Sequence, residues 1–177
     1  MIASRRLAIV VGALTFALVA AMAASACDAI ERLDSRANET AAIERAASAF
    51  VVQAGTVGPA STDRYATALL PFATGPLRDA LQATVTDSRA GTLERRATVR
   101  VERTALTALS RGTGVVTVVA VQSRQWSDAR AGIQHDAVRL WLACRLEAVD
   151  GRWLVTELRV LAEEPVDPAT AGSAFVD

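Results

Sequence analysis

Residues 137–161 read AVRLWLACRLEAVDGRWLVTELRVL and contain the clearest alternation of apolar and polar side chains in the chain. Its first half alternates between apolar and mostly polar side chains. The apolar row consists of Val138, Leu140, Leu142, Cys144, Leu146 and Ala148. Successive side chains of a β-strand point to opposite faces, so this period of two predicts a strand with one solvated face. Asp150-Gly151 then predicts a two-residue hairpin turn into a last strand over residues 152–161.

Two earlier stretches also predict strands. Residues 97–110 alternate, and we expect one face to carry Val99, Val101, Arg103, Ala105, Thr107 and Leu109. Residues 111–114 predict a turn, and residues 115–126 are β-branched on both faces, which is typical of a central strand. We expect residues 127–134 to form a longer loop and residues 162–177 a C-terminal tail. The pattern thus predicts about four antiparallel strands in a meander.

Helical patterns precede the strands. Residues 29–58 carry one apolar helical face, made by Ile43, Ala46, Ala47, Phe50, Val51 and Ala54. Residues 64–72 predict a second, short helix that stops near Pro71, and Gly75-Pro76 opens a third. Residues 87–96 are polar and predict either a loop or a frayed helix end. Helices followed by strands favour an α+β fold. About three helices on a curved sheet of about four strands predict a cone-shaped roll of the nuclear-transport-factor-2-like (NTF2-like) kind, with a cavity between sheet and helices.

The N-terminal segment predicts attachment to a membrane. Residues 7–27 contain no charged side chain, and about 20 such residues form a helix long enough to cross the hydrocarbon core. Arg5 and Arg6 precede the segment, while Asp28, Glu31 and Asp34 follow it. By the positive-inside rule, residues 1–6 stay in the cytoplasm, residues 28–40 form a stalk outside, and residues 41–161 form the extracytoplasmic domain.

Three interpretations of this segment are open, of which two attach the chain to the membrane and one releases it. An uncleaved signal-anchor fits the length of the segment. A cleaved secretory signal fits Ala24-Ser25-Ala26, which matches the small-residue pattern before a cleavage site. A lipoprotein would be cleaved before Cys27 and acylated on that residue. All three place residues 28–177 outside the cytoplasmic membrane.

Composition excludes several classes of protein. Nineteen basic residues, all of them Arg, balance nineteen acidic residues, so no excess charge indicates a nucleic-acid partner. Two Cys and one His are too few for a disulfide framework or a zinc ribbon. We find no catalytic motif, and we predict neither a cofactor nor a metal site.

Three stretches together resemble a known family. They are residues 65–81 (YATALLPFATGPLRDAL), the strand pair 99–110 and 115–123, and residues 139–161 with their charged hairpin tip before Trp153-Leu154-Val155. With the N-terminal anchor, the chain resembles the Mce-associated membrane proteins of high-GC bacteria, such as actinobacteria. The resemblance implies a non-enzymatic accessory protein that stabilises or assembles a mammalian-cell-entry (Mce) type lipid importer, and it carries over no catalytic residues.

A few residues are candidates for function. Arg139, Trp141 and Arg145 share one strand face and predict either a recognition patch or an Arg stacked on an exposed Trp without a partner protein. Two alternatives remain: a carrier that binds a lipid or small apolar ligand in the cavity, and a small isomerase or dehydratase that uses His135 or Tyr65. Cys144 lies in an apolar row, which predicts a buried free thiol.

Overall fold

The computed structural model describes the backbone of residues 2–58, 62–86, 96–128 and 132–167, and the side chains of these residues except 2–28, 62, 63, 86, 127 and 128. The chain divides into two compact units, Met1–Thr40 and Ala41–Asp177. In the part of the chain with described side chains, no helix is both long and apolar enough to cross a membrane. The predicted membrane segment, residues 7–27, and the candidate acylation site Cys27 lie outside that part.

The fold is α+β, as predicted. The helices are α1 (Ile2–Gly55), α2 (Thr62–Leu69) and α3 (Gly75–Thr86), and a short 3₁₀ turn, Leu70–Phe72, follows α2. The strands are β1 (Arg96–Ser110), β2 (Thr113–Asp128), β3 (Gly132–Val149) and β4 (Arg152–Val166). They form one antiparallel sheet in the order β1-β2-β3-β4, so each strand pairs with its neighbour in the sequence.

Two tight turns connect the outer strand pairs. Asp150 and Gly151 have φ values of 49° and 75°, and Arg111 and Gly112 have values of 30° and 79°. Positive φ at both central residues matches the right-handed twist of the flanking strands, and glycine adopts it without a steric penalty. The predicted hairpin at 150–151 is confirmed. The predicted turn over 111–114 is too long, because Thr113 already begins β2.

Three strands extend beyond their predicted ends. β2 continues to Asp128 and β3 begins at Gly132, so most of the predicted loop 127–134 is strand. β4 continues to Val166, where Val166 pairs with Ala137, so residues 162–166 are not part of a tail. Ala162, Glu163, Glu164 and Pro165 are all exposed. Because neither face of this stretch is buried, its sequence carries no apolar alternation that could mark it as a strand.

Bulges change the predicted faces of β1. The register with β2 shifts between Val101 and Arg103 and again between Leu106 and Ala108. Each bulge adds one unpaired residue and reverses which side chains face a given side. Val99 and Val101 therefore share a face with Leu106, which packs on the same core cluster. The predicted row that continued from Val101 to Arg103 and Ala105 is wrong for this reason.

The core lies between α1 and one face of the sheet. Ile43, Ala47, Phe50 and Val51 of α1 are at most 2 % exposed, which confirms the predicted apolar face of this helix. They belong to one cluster with sheet residues from the three strands β2, β3 and β4: Val116, Val118, Ala120, Leu142, Cys144, Leu146 and Val155. The opposite face of the sheet carries a second, smaller cluster, in which Val166 packs against the buried side chains of Val121 and Ala137.

The end of α1 approaches β1 so closely that it requires glycine. A Cβ atom on Gly55 would lie 2.2 Å from Cγ2 and 3.1 Å from Cβ of Val99. We expect Gly55→Ala to lower the free energy of unfolding by about 1–3 kcal/mol, the usual cost of overpacking. Gly58→Ala is the matched control, because a Cβ there meets nothing within 4 Å. Chemical denaturation of both variants checks this, and equal midpoints would contradict the contact.

Cys144 is a fully buried free thiol, as predicted. Burial raises the pKa of this thiol from its ordinary value of 9.0 to about 12. The thiol therefore ionises at a lower pH in the unfolded chain than in the folded chain. The stability that the thiol contributes is fully present below pH 9 and is lost as the pH rises toward 12. We expect the free energy of unfolding to fall by about 1.4 kcal/mol per pH unit in that window, relative to Cys144→Ala. Identical slopes in both proteins, measured by denaturation, would contradict this.

Candidate interaction surface

The outer face of the sheet, which we define as the face opposite the α1 core, carries the predicted patch. Arg139, Trp141 and Arg145 alternate along β3 with the buried side chains of Leu142, Cys144 and Leu146. The register places Val121 beside Arg139, Val119 beside Trp141 and Val115 beside Arg145. The three patch residues thus share one face, as the alternation predicts, but their surroundings differ.

Arg139 lies in a balanced group of ion pairs. Its Nε is 3.2 Å from Oε2 of Glu102, and its Nη1 is 4.0 Å from Oε2 of Glu164. Glu102 Oε1 also pairs with Nη2 of Arg100 at 3.4 Å. The group joins β1, β3 and β4, and its two Arg and two Glu residues leave no net charge. Arg139 therefore stabilises the sheet by linking β3 to β1 and β4 through ion pairs.

Arg145 lies in an unbalanced group. Its Nε is 3.6 Å from Oε2 of Glu157, and Nε of Arg159 donates to Oε1 of the same carboxylate. Two Arg and one Glu leave one positive charge. The side chains of Arg145 and Arg159 are 55 % and 70 % exposed. Both guanidinium groups are consequently accessible to an anionic group from outside.

A hollow of about 200 Å³ lies beside this group. The charged part of its lining consists of Arg145, Glu157 and Arg159. The apolar part consists of Val115, Ala143 and Leu161. Of the predicted patch only Arg145 lines it, since Arg139 belongs to the balanced group and the half-buried Trp141 is not part of the lining. The sequence-based patch missed Glu157, Arg159 and Leu161, because their place depends on the register of β4.

The residues considered for an enzyme have other surroundings. Tyr65 donates its hydroxyl hydrogen to the carbonyl oxygen of Ala54, and burial raises the pKa of this phenol. The contact ties α2 to the last turn of α1. His135 is exposed on β3, and its neighbour Asp136 pairs with Arg124, with 3.0 Å between Oδ1 and Nε. Among the described residues, no cluster of three or more His, Cys, Asp or Glu side chains could hold a metal ion.

A second hollow, of about 180 Å³, lies where α1 ends and α2 begins. Its lining includes Gln53, Thr56, Arg64, Tyr65 and Ala68. The tyrosine hydroxyl there is already hydrogen-bonded to the carbonyl oxygen of Ala54. The outer-face hollow is therefore the better-defined candidate site.

No family model matches this sequence, and no curated protein matches it. Among solved structures, the intermembrane space region of the chloroplast protein ARC6 is similar to this chain, with a TM-score of 0.38 and 16% sequence identity. The similarity covers 53% of this chain and 76% of that one.

Proposed function

We propose that this chain is a non-enzymatic accessory protein of the cell membrane that stabilises or assembles an Mce-type lipid-import complex. Either residues 7–27 as an uncleaved anchor or an acyl group on Cys27 holds it in the membrane, and residues 28–177 lie on the extracytoplasmic side. The observation that carries the proposal is the outer face of the sheet, where the accessible charged group of Arg145, Glu157 and Arg159 borders an apolar hollow. Accessible Arg side chains next to apolar surface are typical of protein interfaces.

The finer fold is part of the proposal. We propose that residues 41–161 form the cone-shaped NTF2-like roll. Helices against one face of a four-stranded meander support it, as do the bulges in β1 and β4, because bulges bend strands and increase their twist. This architecture would leave the outer face available to a partner.

The membrane part of the proposal rests on sequence. The uncharged segment 7–27 follows Arg5 and Arg6, and this order fits an N-terminus in the cytoplasm. A signal-anchor or an acyl group on Cys27 would attach the chain to the membrane, whereas a cleaved secretory signal would release residues 28–177 on the outer side. The resemblance to Mce-associated membrane proteins supplies the proposed partner.

The structure offers less support for the two alternatives. A ligand carrier needs a pocket of roughly 300–1,000 Å³ between the sheet and the helices, and there Phe50 packs with Val118 and Leu142 in one buried cluster. An enzyme needs an acid or base positioned at a substrate site. The hydroxyl of Tyr65 is engaged with the backbone of α1, and His135 lies exposed on a strand. A protein partner that docks on the outer face would contact both the charged group and the apolar part of the hollow.

Co-purification tests the proposal. We expect the full chain, extracted in mild detergent, to retain Mce-type transporter subunits, and Arg145→Ala combined with Arg159→Ala to reduce their recovery at least tenfold. Arg78→Ala, at an exposed position on α3, is the matched control and should retain them. A solitary monomer, together with unchanged transporter levels in a deletion strain, would overturn the proposed function.

A further inference from the structure

We infer that the outer-face hollow receives an acidic side chain, together with a neighbouring apolar side chain, from the partner protein. This inference rests on the proposed function, because it specifies what the docking surface recognises. It is carried by three features of the described residues: the charge imbalance around Glu157, the accessibility of the two arginines, and the apolar remainder of the lining.

The group of Arg145, Glu157 and Arg159 has one negative charge fewer than positive charges, and a second carboxylate would balance it. Glu157 is shared between Arg145 and Arg159, so one positive charge has no counterpart within the group. The Arg145 contact is also long, at 3.6 Å between Nε and Oε2. A guanidinium presents several N–H donors in a fixed plane and pairs with a carboxylate through two parallel hydrogen bonds. An incoming carboxylate would complete the pairing that Glu157 leaves half satisfied.

The balanced group on the same face shows why the hollow is preferred. Arg139 has two acidic partners, and its side chain is 34 % exposed, against 55 % for Arg145 and 70 % for Arg159. An external anion at Arg139 would compete with Glu102 and Glu164, whereas near Arg159 it meets a net positive charge. Arg139 is thus a reference position on the same face, because two carboxylates already accompany its positive charge.

The apolar part of the lining determines what accompanies the carboxylate. Val115, Ala143 and Leu161 border the hollow, and Leu161 is 58 % exposed. The space of about 200 Å³ corresponds to roughly seven water molecules. That is room for one apolar side chain beside a carboxylate. Covering Leu161 would remove one of the large apolar side chains that this chain exposes to water.

A protein segment fits this site better than an anionic membrane surface. Recruitment to anionic lipid uses clusters of about four to eight basic residues, each adding a small increment. The group here carries one excess positive charge, and the chain as a whole carries none. A concave site for one carboxylate selects a single side chain.

The test uses defined peptide probes and the full chain in neutral detergent micelles. The probe Ac-Ser-Leu-Glu-Ser-NH₂ is titrated while the Nε–H resonances of the arginines are followed by NMR, and Ac-Ser-Leu-Gln-Ser-NH₂ is the matched control probe. We expect saturable shifts at Arg145 and Arg159, with a Kd on the order of 1 mM. We expect at least tenfold weaker binding of the glutamine probe and no shift at Arg139.

Two variants and a lipid probe make the result decisive. Arg145→Ala with Arg159→Ala should abolish binding, while Glu157→Gln raises the charge of the group to two and should tighten it several-fold. Absence of saturation at ten times the expected Kd, or equal binding of both peptides, overturns the inference. So do shifts produced by phosphatidylglycerol vesicles in place of the peptide. Since no transporter is present, failure here leaves the co-purification result standing, and peptide binding without co-purification places the failure in the proposed partner.

Discussion

Replacement of Phe50 by Ala is expected to lower the free energy of unfolding by about 3–5 kcal/mol, the usual range for an aromatic residue in a core. Phe50 is 2 % exposed and is the largest of the fully buried side chains. It lies in the cluster that joins α1 to the sheet, so its loss leaves a cavity at the contact on which the fold depends. Urea denaturation of the full chain in detergent measures the effect through the fluorescence of Trp126, Trp141 and Trp153.

Val52→Ala provides the matched control for this prediction. Val52 lies two residues further along the same helix but is 38 % exposed. Its truncation removes little buried surface, and Ala favours the helix, so we expect a change within about 0.5 kcal/mol. A Phe50 variant as stable as the Val52 variant would show that α1 does not pack on the sheet in this way.

Replacement of both Leu14 and Val19 by Arg is expected to release the chain from the membrane fraction or to prevent its export. Each Arg near the middle of a membrane helix costs about 2.5–3.5 kcal/mol of insertion free energy. A signal-anchor and a lipoprotein both require residues 7–27 to enter the bilayer during export, so the expectation is the same for these two modes of attachment. Separation of membrane and soluble fractions, followed by immunodetection, measures the outcome.

The control places the same charges outside the proposed membrane segment. Ile30 and Leu33 are 58 % and 64 % exposed on α1, and the pair Ile30→Arg and Leu33→Arg should leave the chain in the membrane fraction. Retention of the Leu14 and Val19 double variant at the wild-type level would argue against a membrane role for residues 7–27.

The regular parts of the fold follow from local sequence patterns. The alternation in residues 137–149 has a simple cause: Leu142, Cys144 and Leu146 are buried against α1, while Arg145 and Glu147 face water. The spacing of Ile43, Ala47 and Phe50 likewise reflects one buried helical face. Where one side of an element is buried and the other solvated, its period can be read directly.

The candidate site depends on register, which such patterns do not determine. An unbroken ladder counted back from the hairpin at 150–151 would place Thr156 opposite Arg145. The bulge between Arg145 and Leu146 places Glu157 there instead. Thr156 is buried, and its hydroxyl donates to the carbonyl oxygen of Arg145 at 3.3 Å. This bulge of one residue brings Glu157 to Arg145, and no local pattern in the sequence predicts the bulge.

Protease treatment of intact, wall-stripped cells tests most directly whether residues 28–177 form a membrane-attached domain outside the cytoplasm. A C-terminal epitope tag on the full chain reports its fate, and a cytoplasmic protein serves as the internal control. We predict that external protease removes the epitope from the membrane fraction while the cytoplasmic control stays intact. An epitope that survives until the cells are lysed, or that appears in the soluble cytoplasmic fraction, would contradict the proposal.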